Sequence, residues 1–205
     1  MTTSALKDEF VGDLSLADLN YSLRAIAAVV DQNDSELLNL LIEGNELEAK
    51  RRFLYAYWSE KYPSFPEQGY DDFMKVARAI DVAYDSGFGH GFETDRGYIY
   101  LKYGQPDDII SVETEANAPP YEIWAYNQLQ KTGQPNVKFL FYNPTLSPGN
   151  FQLLHSNGRG ELQNANWQYE LYKDSPNNRV GGDFNPDFQI GDGVGRRAVE
   201  YFNDF

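Results

Sequence analysis

The chain has no cysteine, only two histidines and two methionines, and far fewer basic residues than acidic ones. Each shortage closes off a class of chemistry. Without cysteine there is no disulfide framework, no thiolate nucleophile and no Cys-ligated metal. His90 and His155 alone are too few for a polyhistidine metal centre. Lys and Arg number 17 against 31 Asp and Glu, a formal net charge of −14. A surface of that sign repels phosphate backbones and anionic headgroups, which excludes general nucleic-acid binding and argues against basic-patch docking on lipid. No apolar run approaches the ~18 residues of a membrane span. The opening Met1 to Lys7 lacks the charged-then-apolar layout of a secretory leader.

What remains is 205 residues, 41% hydrophobic and 15% aromatic. That is enough for one domain of ordinary size with a real core, and too rich in rings for a chain disordered throughout. The first half reads as helices. Leu16, Leu19, Leu23, Ile26 and Val30 recur at intervals of three or four, behind a Ser15/Asp18 capping pair. A short second helix is expected over Ser35–Ile42 with Ser35 as N-cap. A third, capped by Asn45, carries Leu47, Leu54 and Trp58 until Pro63 and Pro66 stop it. A fourth runs from about Glu67 to Tyr84 and is closed by the glycines at 87, 89 and 91.

At Gly97 the pattern turns strand-like: Ile99, Leu101 and Tyr103 alternate with Tyr98, Tyr100 and Lys102. Four further runs follow, Ile109–Thr114, Tyr121–Tyr126, Val137–Tyr142 and Phe151–His155. Their connections are too short for parallel crossovers, so an antiparallel meander is expected. The fold class is α+β: N-terminal helices over 1–90 packed on a small antiparallel sheet over 91–173, with a loop-rich C-terminal arm over 174–205, one domain overall. Leu162–Tyr172 reads as a short helix with Trp167 inward, Ser175–Gly195 as a loop or extended arm, and Arg196–Phe202 as a last helical turn or two. Because strand side chains alternate, both sheet faces carry rings. Either the chain covers both itself, the favoured reading, or one aromatic face stays open for a partner.

The densest cluster of reactive groups is His90-Gly91-Phe92-Glu93-Thr94-Asp95-Arg96-Gly97. His90 is a candidate base, Glu93 and Asp95 a candidate acid–base pair, and Arg96 an anion clamp. The structural reading is favoured: Thr94 and Asp95 bond their own backbone in turns, Arg96 pairs with a carboxylate, and Gly97 lets the chain enter a sheet edge tightly. His155-Ser156 with Glu161 contains the residue types of a hydrolase triad without a nucleophile elbow. Asp183-x-Asn185-x-Asp187 has calcium-loop spacing, but Phe188 and Val194 stand where the turn glycine and bidentate Glu belong. Asp192 is at best a partial substitute, and a solvated acidic loop is the better reading. The glycines at 87, 89 and 91 precede a predicted strand, the wrong context for cradling phosphate.

The run Gly91-Phe92-Glu93-Thr94-Asp95-Arg96-Gly97, followed by Tyr103-Gly104-Gln105-Pro106-Asp107, resembles the GWxTD domain family of bacterial cell-envelope proteins. Phe92 stands where that family's signature has tryptophan. Weaker similarity extends over roughly residues 45 to 205, including Tyr121–Tyr126 and Phe151–Ser156. The family has no established activity, so the resemblance implies a motif or binding surface made of Gly91, Phe92, Thr94, Asp95, Arg96, Gly97, Tyr103, Gly104 and Pro106, with no catalytic residue, no metal and no cofactor. Members usually carry an export or lipoprotein signal. The resemblance therefore implies a periplasmic or outer-membrane-tethered location and a lipid anchor in the native precursor. The expected function is a non-enzymatic interaction or scaffold module with protein partners in an envelope complex. The alternative is a glycan- or peptidoglycan-directed binder or hydrolase using Glu93 and Asp95.

Overall fold

The computed structural model describes residues 9–115, 118–173 and 197–204. Four helices come first: α1 (Leu16–Ile26), α2 (Gln32–Glu43), α3 (Leu47–Lys61) and α4 (Pro66–Ala83). The Ser15/Asp18 box forms as expected, each residue's side chain accepting from the other's amide at 3.2 Å. Two other predicted caps are displaced. The residue before α2 is Asp31, and Ser35 lies inside the helix, its hydroxyl donating to the Gln32 carbonyl at 2.7 Å. Glu46, not Asn45, precedes α3. Pro66 opens α4 at its first turn, where a missing N–H costs nothing, instead of stopping α3. Leu19, Leu23, Leu38, Leu54, Trp58 and Ile80 meet in a helical core.

A 3-10 turn over Gly91–Glu93 leads into α5 (Asp95–Tyr103). This corrects the strand expected from Gly97 onward. The physical reason lies in the packing. α5 is wedged between two cores: Leu101 faces the helices, Ile99 and Tyr103 face the sheet, and Tyr98 and Tyr100 touch both. A helix buried on opposing sides loses its single apolar stripe, and here the residue-by-residue burial from 97 to 103 alternates as a strand's does.

Four strands follow among the described residues, not five: β1 (Asp108–Val112), β2 (Tyr121–Gln128), β3 (Pro135–Tyr142) and β4 (Gln152–Ser156). They form one antiparallel meander in chain order, with Ile110 opposite Ile123, Ile123 opposite Leu140 and a register shift at Leu140/Phe141 between β3 and β4. α6 (Trp167–Tyr172) and α7 (Arg197–Asp204) complete the described chain.

The sheet is covered on both faces. Trp124, Tyr126, Val137, Phe139 and Phe141 pack against α5 through Ile99 and Tyr103. Tyr121, Ile123, Leu140 and Leu154 pack against Trp167 and Leu171 of α6 and Ala198 and Phe202 of α7. The sequence reading in which the chain covers its own rings thus holds for the described residues. The expected calcium-like spacing at Asp183, Asn185 and Asp187 and the arm over 175–195 lie outside them. No described helix is long and apolar enough to cross a membrane.

Candidate functional site

The heptapeptide of residues 91–97 occupies the joint between α4, α1, α5 and the sheet. Asp81, in the last turn of α4, organises its start. One carboxylate oxygen accepts the Gly91 amide at 2.6 Å; the other accepts the Tyr21 hydroxyl at 2.9 Å and lies 3.2 Å from His90 Nδ1. Burial, and then the neighbouring Asp81 carboxylate, raise the Tyr21 phenol's pKa well above its ordinary value, so the hydroxyl stays a donor. The His90 ring stacks on Phe92 at 4.9 Å between centroids, and Tyr21 meets both rings edge-on. Phe92 is buried, so the ring in the tryptophan position of the motif serves as core.

Glu93 accepts the His90 amide at 3.1 Å and pairs with Arg24 of α1 at 2.9 Å. Thr94 caps α5: its hydroxyl donates to the Gly91 carbonyl at 2.6 Å and accepts the Gly97 amide at 3.2 Å. Gly97 sits in the first turn of α5, not at a sheet edge, which corrects its expected placement. A Cβ there would collide with the Gly91 carbonyl oxygen and come within 2.6 Å of the Phe92 Cα. The 3-10 turn and the helix therefore touch backbone to backbone, which only glycine permits.

Asp95 and Arg96 reach the other way. Asp95 accepts the Leu153 amide of β4 at 2.6 Å. Arg96 donates to Glu122 of β2 at 3.0 Å and to the Gly149 carbonyl at 3.1 Å, with its guanidinium between the rings of Tyr84 and Phe151. The second Glu122 oxygen takes the Trp124 indole N–H at 3.0 Å.

The downstream motif residues anchor the other end of α5. Tyr103 donates to Glu161 at 2.5 Å, and Glu161 also pairs with Lys102 at 2.7 Å. Burial works against the Lys102 charge, but its hydrogen bonds to Glu161 and Tyr98 more than offset that and hold its pKa above the usual value. Gly104 ends the helix at φ +85°, a region that favours glycine, and its carbonyl accepts the Tyr126 hydroxyl at 2.9 Å. Pro106 is buried in the turn before β1.

The structure thus brings residues 91–97 into one joint, with Tyr103, Gly104 and Pro106 at the far end of α5, and engages the two carboxylates of the joint with different elements, Glu93 with α1 and Asp95 with β4. His155, Ser156 and Glu161 do not assemble into a relay. His155 Nδ1 accepts the Asn164 amide at 3.1 Å, Ser156 is fully buried and donates to the Leu162 carbonyl at 3.1 Å, and Glu161 serves Lys102 and Tyr103. Sequence reasoning missed Asp81, Glu122 and Glu115. Glu115 accepts the hydroxyls of Tyr121 and Tyr172 and the Arg197 amide at 2.6, 2.9 and 3.1 Å, fastening α6 and α7 to the β1–β2 connection. Nothing local in the sequence distinguishes these carboxylates from surface ones.

A family model, the GWxTD domain, matches residues 70–173, a little over half of the chain. Neither the curated proteins nor the solved structures compared with the chain contain a match. The matched span runs from the second turn of α4 to the residue after α6 and contains the heptapeptide, α5 and the sheet, but not α1, which supplies Tyr21 and Arg24 to the joint. With the motif at its centre and the family model spanning it, the chain belongs to the GWxTD domain family.

Proposed function

We propose that this protein is a non-enzymatic interaction module of a bacterial cell-envelope complex, periplasmic or tethered to the outer membrane, and that it works by presenting a rigid acidic surface to protein partners. The observation that carries the reading is the engagement of the motif's charged groups within the fold: Glu93 by Arg24, Asp95 by the Leu153 amide, Arg96 by Glu122 and the Gly149 carbonyl. A catalytic constellation leaves its acid, base or nucleophile facing a substrate. Here these groups knit helices to sheet, and a net charge of −14 favours partners of opposite sign. The family resemblance supports the envelope location within this reading.

The test is native co-purification of the tagged chain from envelope fractions, with each eluted protein quantified. A partner recovered in fixed stoichiometry is the expected result; a monomer that brings down nothing overturns the reading. Peptidoglycan turnover by the pure protein, abolished in Glu93→Gln and Asp95→Asn, would also overturn it.

A further inference from the structure

The two edges of the sheet are treated differently. At β4 the chain closes its own edge: the Leu153 amide goes to Asp95, the Ser156 amide to the Leu162 carbonyl at 2.8 Å, and His155 takes the Asn164 amide. β1 has no neighbour beyond β2 among the described residues. The hydrogen-bond parity is set by the Asn143 amide on the Pro120 carbonyl, which directs Tyr121, Ile123 and Ala125 toward β1. Asp108, Ile110 and Val112 therefore face β2, and the backbone groups of Ile109 and Ser111 face outward. The Ile109 amide is held by the Asp108 carboxylate at 2.8 Å, which leaves the Ser111 N–H and the carbonyls of Ile109 and Ser111 as the ladder without a partner strand among the described residues.

The side chains along this edge are incomplete in the same way. Ile109 is 46% exposed, and Ile110 and Val112, on the face shared with α6 and α7, are only partly covered. Acidic groups bracket the strand, with Asp107 before it, Asp108 as its first residue and Glu113 after it. At Asp108 the edge adjoins a cleft of about 750 Å³ that runs inward across the ends of β2 and β3 to Phe202 of α7, lined by Asp107, Asp108, Asn127, Asn136 and Lys138, whose ammonium is held by the Phe202 carbonyl. These charges decide the occupant. Two copies of β1 paired antiparallel about Ile110 would set Asp107 of each against Glu113 of the other, which is repulsive. A segment with Lys or Arg at the same positions is attracted instead.

We propose that the outer edge of β1 receives, as a fifth strand, an extended basic segment of a partner protein, its apolar residues extending the cover over Ile110 and Val112 and its cations meeting Asp107, Asp108 and Glu113. This rests on the interaction-module reading and names the surface and the partner's chemistry.

The test uses the full chain and a short peptide of alternating lysine and valine, with a glutamate–valine peptide as control, read by amide exchange and NMR shifts. The expected result is that the lysine peptide slows Ser111 exchange by roughly tenfold or more, shifts signals at residues 107–113, and is released near ~1 M salt, where screening is complete within ~3 Å. Ser111→Pro removes the outward N–H at a position where an edge strand tolerates proline, and should abolish these shifts while leaving the melting temperature near wild type. Asp107→Asn with Glu113→Gln keeps the backbone intact and should weaken binding if Ser111→Pro proves unstable. Shifts elsewhere on the surface, equal binding of the glutamate peptide, or a wild-type dimer that Ser111→Pro makes monomeric would each overturn the proposal. A native partner that co-purifies equally with Ser111→Pro overturns this edge but leaves the module reading standing. No native partner for the wild type overturns both.

Discussion

Gly97 illustrates how one atom decides a joint. Its missing Cβ is the space occupied by the backbone of Gly91 and Phe92, and no side-chain rotation relieves a clash with backbone. Gly97→Val should therefore cost at least about 3 kcal/mol, at the upper end of overpacking penalties, seen as a fall in melting temperature or loss of soluble protein. Asp95 makes a different kind of contribution, a charged acceptor on one edge amide. Asp95→Ala should lower the unfolding free energy by about 1–2 kcal/mol in urea titration, with Asp95→Asn recovering part of it because its carbonyl oxygen still accepts. The residue types of the motif were readable as structural from the sequence. Their partners were not, because Arg24, Glu122 and Leu153 are brought in from distant segments of the chain and Asp81 from the end of the preceding helix.

The least legible element was α5. Its cap signals were present: Thr94 before the first turn, Asp95 in it, Lys102 in the last turn and Gly104 after it, at the spacing of a short helix. The alternation of Ile99, Leu101 and Tyr103 outweighed them in the sequence reading, and the alternation was real. It reports a helix buried on two sides rather than a strand buried on one. The longer helices carried a single stripe and were placed well, and the last three strand runs and the turn between Tyr103 and β1 fell where expected.

At the C-terminal end, α7 is held by the Glu115 carboxylate on its first amide and by the Tyr172 hydroxyl on the Ala198 amide. Glu115→Gln removes the charge that serves a helix N-terminus and turns one acceptor into a donor facing another donor. It should loosen α7, with an overall loss of about 1.5–3 kcal/mol, faster amide exchange over 198–203 and earlier proteolysis after Tyr172.

For the whole molecule, the half-buried His155 links stability to pH. Burial lowers the pKa of His155 below the ordinary 6.5, and its Nδ1 lone pair is already used by the Asn164 amide while the ring lies on Trp167 and Phe202. The unfolded chain therefore binds a proton more readily than the fold does at this position. Its contribution is fully present above about pH 6.5 and is lost as pH falls through the folded-state value. Melting temperature should drop as pH falls below about 6.5, and His155→Phe should flatten that part of the profile without shifting the high-pH side; an unchanged slope would refute the assignment. The same packing explains why neither sheet face is left open. The meander is sandwiched between α5 and the α6–α7 pair, so a partner meets edges and charged surface instead of a bare aromatic face.

Composition and pattern alone determined the α+β class, the helical first half, the antiparallel meander and the family, because each is written in local periodicity, turn residues or contiguous motif. Tertiary structure decided that residues 95–103 coil, which carboxylates the motif faces, and which sheet edge the chain seals for itself. Those outcomes depend on contacts between segments far apart in the chain, and local patterning holds no record of which distant surface a side chain will meet.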